Sequence, residues 1–548
     1  MKRTNFLTLG ISLFLAISSF TTFKANAENL KNHLVIMGTT DVHANIFPID
    51  YFKNVKSNVG LAKVYTKVKE IRSQNKNTLL LDSGDMIQGT PLASYYASIK
   101  SNDENPMMKA MNFMDYDAMT VGNHEFDLGL NNLEKAKKEA KFPFLSANLY
   151  IHNTNKPAFT PYIIKEIDGV KVGIISFTTQ REAFWGELII ENKIDFKDVI
   201  QEANKWIPEL RKKVDVLVCI PHTGLTEYPT SDDGSKGIPE NVAKELADKF
   251  PEIDVMLIGH SHTDISELRE NNVLISQADR FGDRLSLVNI DLEKVNNKWK
   301  IDNKSSETIK LDNIEPDKNL SDYMQVENEN TLKYISEKLG TLNEEWTAKD
   351  ARLKDTPIMD LINKVQMEVT GADISAVQLF RENLSIDKGD ITVNEIYNLY
   401  PFENKLVMIK INGKQLRESL EHSTDYFNTY EKDKDLVNKN VPGYNYDIYS
   451  GINYKIDLTK PLGKRIIELK FKGKDVTDNM TFKFAINSYR YGGGGGYYML
   501  KNSPLLYNKM EGVRELIVDY IKKHKTITSE NIFEKNWEVI PKEVLEKK

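Results

Sequence analysis

The chain has 548 residues, of which 40% are hydrophobic and 28% are charged, so we expect a soluble globular protein with two domains rather than a single core. A formal net charge of -6 at pH 7 excludes the broad basic surface of proteins that bind nucleic acid polymers. Any anionic substrate must therefore be held by local groups, such as metal ions or backbone amides.

Residues 1–27 are typical of a signal peptide. The basic pair Lys2-Arg3 precedes an apolar run over residues 6–20, and Ala25-Asn26-Ala27 offers small residues for cleavage. A membrane anchor is the weaker interpretation, because the run is shorter than the roughly 20 residues that span a bilayer. We expect an exported protein that is secreted, cell-wall associated or periplasmic and has no membrane span after cleavage.

Residues 28–315 alternate short β-rich runs with helical patterns near 59–73 and 130–140, which predicts a layered α/β domain. The predicted strands lie in HLVIMG, NTLLLDSGD, AMTVGNHE, VKVGIISF, DVLVCIPH and DVMLIGHSH. Nearly all of them end in a small residue, an Asp, an Asn or a His. Because ligands gather at the carboxyl ends of strands in α/β sheets, these ends can converge on one site. The single cysteine, Cys219, lies in an apolar run and is expected in the core.

Residues 316–340 are polar with helical spacing, which predicts a connecting helix. Residues 341–548 form a second segment with helices near 358–369 and 513–523 and four β-rich runs between them. Strands and helices do not alternate strictly there, so we expect an α+β domain. Its one compositional anomaly is the run of five glycines from Gly492 to Gly496.

Seven polar residues at the predicted strand ends are candidate metal ligands: Asp41, His43, Asp85, Asn123, His222, His260 and His262. All offer oxygen or nitrogen and none a thiolate, which favours Zn, Mn, Fe or Co. Seven donors exceed the needs of one tetrahedral ion, so two ions that share a bridging carboxylate are the economical arrangement. Alone, an Asp-x-His after a strand is more often a turn or a helix cap. However, five of only 9 histidines fall in these motifs, which chance explains poorly.

These motifs also carry a family resemblance. DVH, the GD of LLLDSGDMIQG, GNHEFD, PHTG and GHSH occur in the order found in calcineurin-like metallophosphoesterases. The whole chain after residue 27 resembles the secreted two-domain 5′-nucleotidase family, and most closely its 2′,3′-cyclic-nucleotide 2′-phosphodiesterase/3′-nucleotidase branch. The resemblance implies a metallophosphoesterase domain folded as an α/β/β/α sandwich, followed by an α+β nucleotide-binding domain.

The resemblance also implies roles for the strand-end residues. One ion would be bound by Asp41, His43 and His262, the other by Asn123, His222 and His260, with Asp85 as the bridge. His124 matches the catalytic histidine of the family, and Asp127 lies three residues later, where it can orient the imidazole. Some 5′-nucleotidases carry Gln at the position of His262, so the first ion can differ here.

In the second domain, the resemblance implies that Phe402 and Tyr497 clamp a nucleobase between their rings. Base stacking tolerates different bases, because every base has a π face. The alternative is that both are core aromatics, the commoner position of such residues. Tyr491 and Tyr498 are neighbouring candidates. Arg381 is a loose match to basic substrate-binding residues, and Arg490 is as readily structural.

Together these features predict an exported dinuclear-metal hydrolase that opens 2′,3′-cyclic nucleotides and then releases nucleoside and phosphate. We expect nucleotide substrates, no nucleic acid polymer as partner, and a monomer. A 5′-nucleotidase or nucleotide-sugar hydrolase is the alternative within the family. A catalytically silent nucleotide-binding surface protein and a hydrolase of non-nucleotide esters are alternatives of other classes.

Overall fold

The computed structural model describes residues 30–180, 190, 192–226 and 239–545. The predicted signal peptide lies outside the described residues. Within the described ranges, no helix has the length and apolar character needed to cross a membrane.

The first domain is built on two six-stranded sheets. The order in the first sheet is Lys298–Lys310, Arg284–Val295, Lys31–Thr39, Thr78–Asp82, Ala118–Thr120 and Phe144–Leu145. The order in the second is Asp264–Glu270, Val273–Ala278, Val255–Leu257, Val216–Cys219, Val170–Ile175 and Tyr162–Ile167. The central strands of each sheet are parallel. The outer strands pair antiparallel, except Phe144–Leu145, which is parallel to its neighbour. Each sheet therefore delivers several strand carboxyl ends to one edge.

The two sheets pack face to face, and helices cover their outer faces. One buried cluster, which includes Leu81 and Val218, lies between the sheets. Helix residues pack with each outer face, such as Val64 with the first sheet and Ile207 with the second. In the described part of this domain, the helices are Leu61–Gln74, Pro91–Ser98, Pro106–Phe113, Leu130–Glu139, Val199–Arg211 and Ala243–Lys249. Strands such as Thr78–Asp82 are buried on both faces, and their sequences are therefore continuous apolar runs. The predicted α/β/β/α sandwich is confirmed.

Cys219 is the last residue of a central strand in the second sheet, and its side chain is fully buried. Burial raises the pKa of its thiol far above the usual value. The thiol is therefore neutral and inert, as expected of a core cysteine.

The segment between the domains forms two short helices, Lys318–Tyr323 and Gln325–Ile335, rather than one. Met324 separates them, because its backbone leaves the helical region (φ -101, ψ 9). The next strand, Lys338–Leu342, already pairs with Gly389–Thr392 of the second domain. The domain limits drawn from the sequence stay predictions.

The second domain has an α+β architecture, as predicted. Its largest sheet has the order Asp447–Ser450, Ile374–Gln378, Thr481–Asn487, Lys405–Asn412 and Leu505–Gly512. A four-stranded sheet follows the order Lys474–Asp475, Ile466–Phe471, Asn453–Asp457 and Trp537–Ile540. The helices are Pro357–Thr370, Val393–Leu399, Gly413–Ser423, Ser488–Tyr491, Val513–His524 and Ser529–Ile532.

A short hairpin of the first domain, Ile49–Asp50 paired with Val55–Lys56, contacts the second domain. The Phe52 carbonyl at its tip accepts hydrogen bonds from Asn394 Nδ2 at 2.8 Å and Asn398 Nδ2 at 2.9 Å. The guanidinium of Arg381 lies 4.6 Å from the centre of the Phe52 ring. This hairpin follows the DVH motif in the chain, so one segment joins the strand-end loops to the second domain.

Candidate functional site

The seven candidate ligands converge at the carboxyl-end edge of the two sheets. Five of them lie in tight loops with positive φ: Asp41 (50°), His43 (48°), Asp85 (61°), His260 (71°) and His262 (48°). Left-handed backbone is uncommon for residues with a Cβ, and it clusters at functional sites where the surrounding structure holds it. The fold thus holds these loops in costly conformations that aim several donors at one point.

Two glycines allow these loops to approach one another. A Cβ on Gly122 would lie 2.3 Å from Asp85 Oδ1, and one on Gly259 would lie 2.2 Å from Thr40 Oγ1. Side chains at these positions would push apart the loops that carry Asp85 and Asp41. The glycines of GNHE and GHSH therefore serve close packing of backbone against ligand.

The donors form two groups. Within each, the ligand atoms lie within 4.8 Å of one another, and the groups are Asp41, His43 and His262, and Asp85, His222 and His260. In the first group, His262 Nε2 is 3.3 Å from Asp41 Oδ1 and 3.1 Å from His43 Nε2. In the second, Asp85 Oδ2 is 3.1 Å from His222 Nε2. Asp85 Oδ2 is also 4.0 Å from His43 Nε2, so this carboxylate lies between the groups.

Asn123 joins the second group through its side-chain oxygen. Asn123 Oδ1 lies 3.0 Å from His222 Nε2 and 3.0 Å from His260 Nδ1. The other nitrogens of these rings have protein partners: His222 Nδ1 is 2.7 Å from the Ser83 carbonyl oxygen, and His260 Nε2 is 2.8 Å from Glu240 Oε1. An imidazole that donates one N–H to a carbonyl or carboxylate presents the other nitrogen as a metal ligand.

The electrostatics of the site fit cations. Burial opposes the charge on Asp85, yet its pKa lies well below the usual value, because His222 and two further imidazoles surround it. Burial lowers the pKa of His43 to about 4, so this ring is neutral at pH 7. Burial opposes protonation of His222, but the carboxylates around it, first among them Asp85, raise its pKa to about 9. Ionised buried carboxylates with neutral imidazole nearby form a donor set that suits divalent ions.

His124 lies beside this cluster in a short turn, His124–Phe126. Its Nδ1 is 2.7 Å from Asp127 Oδ2, and its ring centroid is 5.3 Å from that of His43. Because an ionised carboxylate can only accept, Nδ1 carries the proton. Its Nε2 is the nitrogen that can accept or give a proton, and about a third of the side chain, 34%, is exposed to solvent.

Sequence reasoning missed two carboxylates of the site. Glu125 is fully buried and accepts hydrogen bonds from four backbone N–H groups, those of Asp85, Met86, Ile87 and Gly122, at 2.6–3.2 Å. Burial and the charge of Asp85 raise the Glu125 pKa to about 7. The feature of the sequence that could have identified Glu125 is its position inside the GNHE motif. Glu240, the partner of His260, has no local motif and could be found only from the fold.

The predicted substrate residues of the second domain differ in their surroundings. Phe402 is 44% exposed, with Phe380 edge-on at 4.8 Å between ring centroids. Arg381 donates from Nη1 to Asn398 Oδ1 at 2.5 Å and lies over Phe52, at the contact between the domains.

The structure does not support the Tyr497 half of the predicted clamp. This ring has no exposed surface, its hydroxyl donates to the Asn445 carbonyl at 2.9 Å, and the guanidinium of Arg490 lies 4.2 Å from its centre. A fully enclosed ring offers no face to a base, so Tyr497 is a core aromatic. Arg490 is structural, because it is buried and paired with Asp447 at 2.8 Å.

Comparisons with known proteins agree with this geometry. The family model of the calcineurin-like phosphoesterases matches residues 34–264, and that of the 5′-nucleotidase C-terminal domain matches residues 338–502. The chain is 31% identical to the 2′,3′-cyclic-nucleotide 2′-phosphodiesterase/3′-nucleotidase of Salmonella typhimurium, over 84% of this chain and 81% of that protein.

Two further matches extend over most of the chain. The trifunctional nucleotide phosphoesterase protein YfkN of Bacillus subtilis is 29% identical over 93% of this chain, which spans only 39% of YfkN. The fold matches the crystal structure of a Staphylococcus aureus protein described as a 5′-nucleotidase, with a TM-score of 0.79 and 24% identity over 93% of this chain and 100% of that one. The chain therefore belongs to the calcineurin-like phosphoesterases that carry a 5′-nucleotidase C-terminal domain, a family whose members use a dinuclear divalent metal centre.

Proposed function

We propose that this protein is an exported hydrolase of nucleotide phosphate esters that acts as a 2′,3′-cyclic-nucleotide 2′-phosphodiesterase and a 3′-nucleotidase. The observation that carries the proposal is the convergence of two metal-ligand groups around Asp85, with the His124–Asp127 pair beside them. The products would be a nucleoside and phosphate.

Two divalent ions would occupy the two groups. Asp41, His43 and His262 would hold the first ion, Asn123, His222 and His260 the second, and Asp85 would bridge them. When bound, the ions supply Lewis-acid activation of a phosphoryl oxygen and of the attacking water. They also supply the local positive charge that an acidic chain otherwise lacks. Zn, Mn, Fe and Co all suit these donors, and metal analysis of the purified protein would identify the native pair.

His124 would act as the proton carrier at the leaving oxygen. Asp127 holds Nδ1–H and thereby leaves Nε2, the nitrogen away from the carboxylate, for proton transfer. In cyclic-ester hydrolysis, the water oxygen bonds to phosphorus, the bond from phosphorus to O2′ breaks, and O2′ takes a proton. A histidine with a carboxylate partner is suited to give that proton, because the partner stabilises the charged ring before transfer.

The exposed ring of Phe402 would stack on the nucleobase. Tyr497 cannot supply the second ring, because it is enclosed. The half-buried Tyr489 would supply it instead. Tyr489 follows the strand Thr481–Asn487, whose last residue pairs with Leu406, so Tyr489 and Phe402 lie at the same end of one antiparallel pair. Loss of either ring should mainly raise KM, because stacking is made in ground and transition states alike.

The alternative within the family is a 5′-nucleotidase, which the match of the second domain to the 5′-nucleotidase C-terminal domain favours. Hydrolysis of 2′,3′-cAMP, 3′-AMP and 5′-AMP by the metal-supplemented protein separates the two. Turnover of the first two supports the proposal, whereas turnover of 5′-AMP alone would refute it. Nucleotide binding without any turnover would identify the silent binding protein instead.

A further inference from the structure

Arg280 lies at the metal site without being a ligand. It follows the strand Val273–Ala278, and its loop is tied to both loops of the first ligand group. The Phe281 N–H donates to the Asp41 carbonyl at 2.7 Å, and the Asp279 N–H donates to the Thr263 carbonyl at 3.3 Å. The backbone thus places Arg280 next to the DVH and GHSH loops.

The guanidinium of Arg280 is held at the site yet remains accessible. Nη1 lies 3.2 Å from His262 Nδ1, and the guanidinium carbon is 5.1 Å from the centre of the Phe281 ring. The Phe281 ring in turn contacts His43, at 5.8 Å between centroids. The side chain is exposed, and among the described residues no carboxylate forms an ion pair with it. A guanidinium has five N–H donors in a fixed plane, and among the described residues only Nη1 of Arg280 has a side-chain hydrogen-bond partner.

The hydrogen bond from Arg280 to His262 depends on which nitrogen of that ring carries the proton. Nη1 can only donate, so the contact needs a lone pair on His262 Nδ1. The Nε2 of the same ring is directed to Asp41 and His43, where the first ion would bind. An imidazole that uses its Nε2 lone pair on a metal carries its proton on Nδ1 and then cannot accept from Arg280. An ion bound by the first group would therefore release the guanidinium from His262 Nδ1, while the backbone of its loop still holds Arg280 next to the ligands.

We propose that Arg280 binds a non-bridging oxygen of the substrate phosphoryl group and stabilises the negative charge that grows there during hydrolysis. This inference rests on the proposed phosphoester hydrolysis. Planar, two-pronged donors match phosphate oxygens, and such charge-assisted hydrogen bonds are stronger than neutral ones. Arg280 would be a catalytic residue supplied by the first domain, in addition to the ions and His124.

The test compares Arg280→Gln with Arg280→Lys and with the control Arg269→Gln, an arginine of the same domain that pairs with Glu267 away from the site. Metal content, calorimetric binding of inorganic phosphate, and kcat and KM on 2′,3′-cAMP and bis(p-nitrophenyl) phosphate would be measured for each full-length, metal-loaded variant. We expect Arg280→Gln to keep both ions, to bind phosphate about 10-fold more weakly, and to lose about 100-fold in kcat/KM, mostly in kcat. Arg280→Lys should recover part of the loss, because it keeps the charge without the fork.

Unchanged phosphate affinity and unchanged kcat/KM in Arg280→Gln would overturn the proposal. Loss of metal in that variant, with activity restored by added metal, would overturn it too, since Arg280 would then only position His262. The proposed function fails separately, if the wild-type protein turns over no nucleotide. Phosphate binding and the non-nucleotide diester still report on Arg280 in that case.

Discussion

The substitution Glu125→Gln would test whether one buried carboxylate holds the Asp85 loop against the loop that carries His124. Each Glu125 oxygen accepts two of its four backbone hydrogen bonds: Oε1 from Met86 and Ile87, Oε2 from Asp85 and Gly122. Glutamine keeps the shape but replaces one oxygen with an NH₂ donor. Whichever way the amide turns, two buried N–H groups face a donor instead of an acceptor.

The expected cost follows from those two groups. A buried donor left without a partner costs about 1–3 kcal/mol, so the substitution should cost about 2–6 kcal/mol. That is a large part of the about 5–15 kcal/mol by which domains are usually stable. The strain should also reach Asp85, which lies in the displaced loop, and weaken metal binding.

Thermal unfolding in metal-free buffer and a metal titration of the refolded protein would measure both effects. The matched control is Glu134→Gln, because Glu134 is half-exposed and pairs with Lys137 on the same helix. We expect a lowered Tm and weaker metal affinity for Glu125→Gln, and wild-type values for the control. If the two variants had equal Tm and equal metal affinity, the four hydrogen bonds would not hold the loop and this reasoning would be refuted.

Three further outcomes are expected. His124→Ala should leave metal content intact while turnover falls by about 10²–10⁴-fold, the usual share of general acid catalysis; wild-type turnover would remove His124 from the mechanism. Phe52→Ala should lose the stacking contact with Arg381, worth about 0.5–1 kcal/mol, and speed hydrogen exchange in residues 49–56. The control is Val55→Ala, in the same hairpin. Equal exchange rates in both variants would contradict a stabilising contact between Phe52 and Arg381. Burial and the charge of Asp355 raise the pKa of Asp360 to about 7. The folded state therefore favours the neutral carboxyl, and this contribution to the free energy of unfolding is fully present below pH 4 and is lost as the pH rises through 7. Asp360→Asn should therefore flatten the fall in unfolding free energy between pH 4 and 8, and an unchanged slope would show that Asp360 does not titrate in this range.

Much of the first domain could be predicted because its central strands are buried on both faces. Runs such as the Leu79-Leu80-Leu81 stretch carry a strong signal, and all six predicted strands are present. The long hairpin Arg284–Val295 with Lys298–Lys310 was not predicted, since its strands mix buried and exposed positions and include many charged residues. Half-exposed strands of this kind depend on the neighbours they pair with, which the local sequence does not show.

The candidate site shows the same division between local and distant signals. Asp41 and His43 are separated by a single residue after a strand, and the order of residues in such motifs is enough to indicate a set of metal ligands. Glu240 acts through a contact with His260, 20 positions away, and carries no motif of its own. The prediction that the Tyr497 ring stacks on a base lacks structural support for a related reason. Whether a ring is exposed depends on what packs around it, here Arg490 and His422.

The buried thiol of Cys219 has a practical consequence for measuring domain motion in this protein. It is the only cysteine of the chain, and its burial leaves it silent toward maleimide and iodoacetamide reagents. A pair of cysteines introduced on the surface, one in each domain, can therefore take fluorescent dyes without any change to the native sequence elsewhere. Distances between such dyes would report whether the two halves rotate when substrate enters.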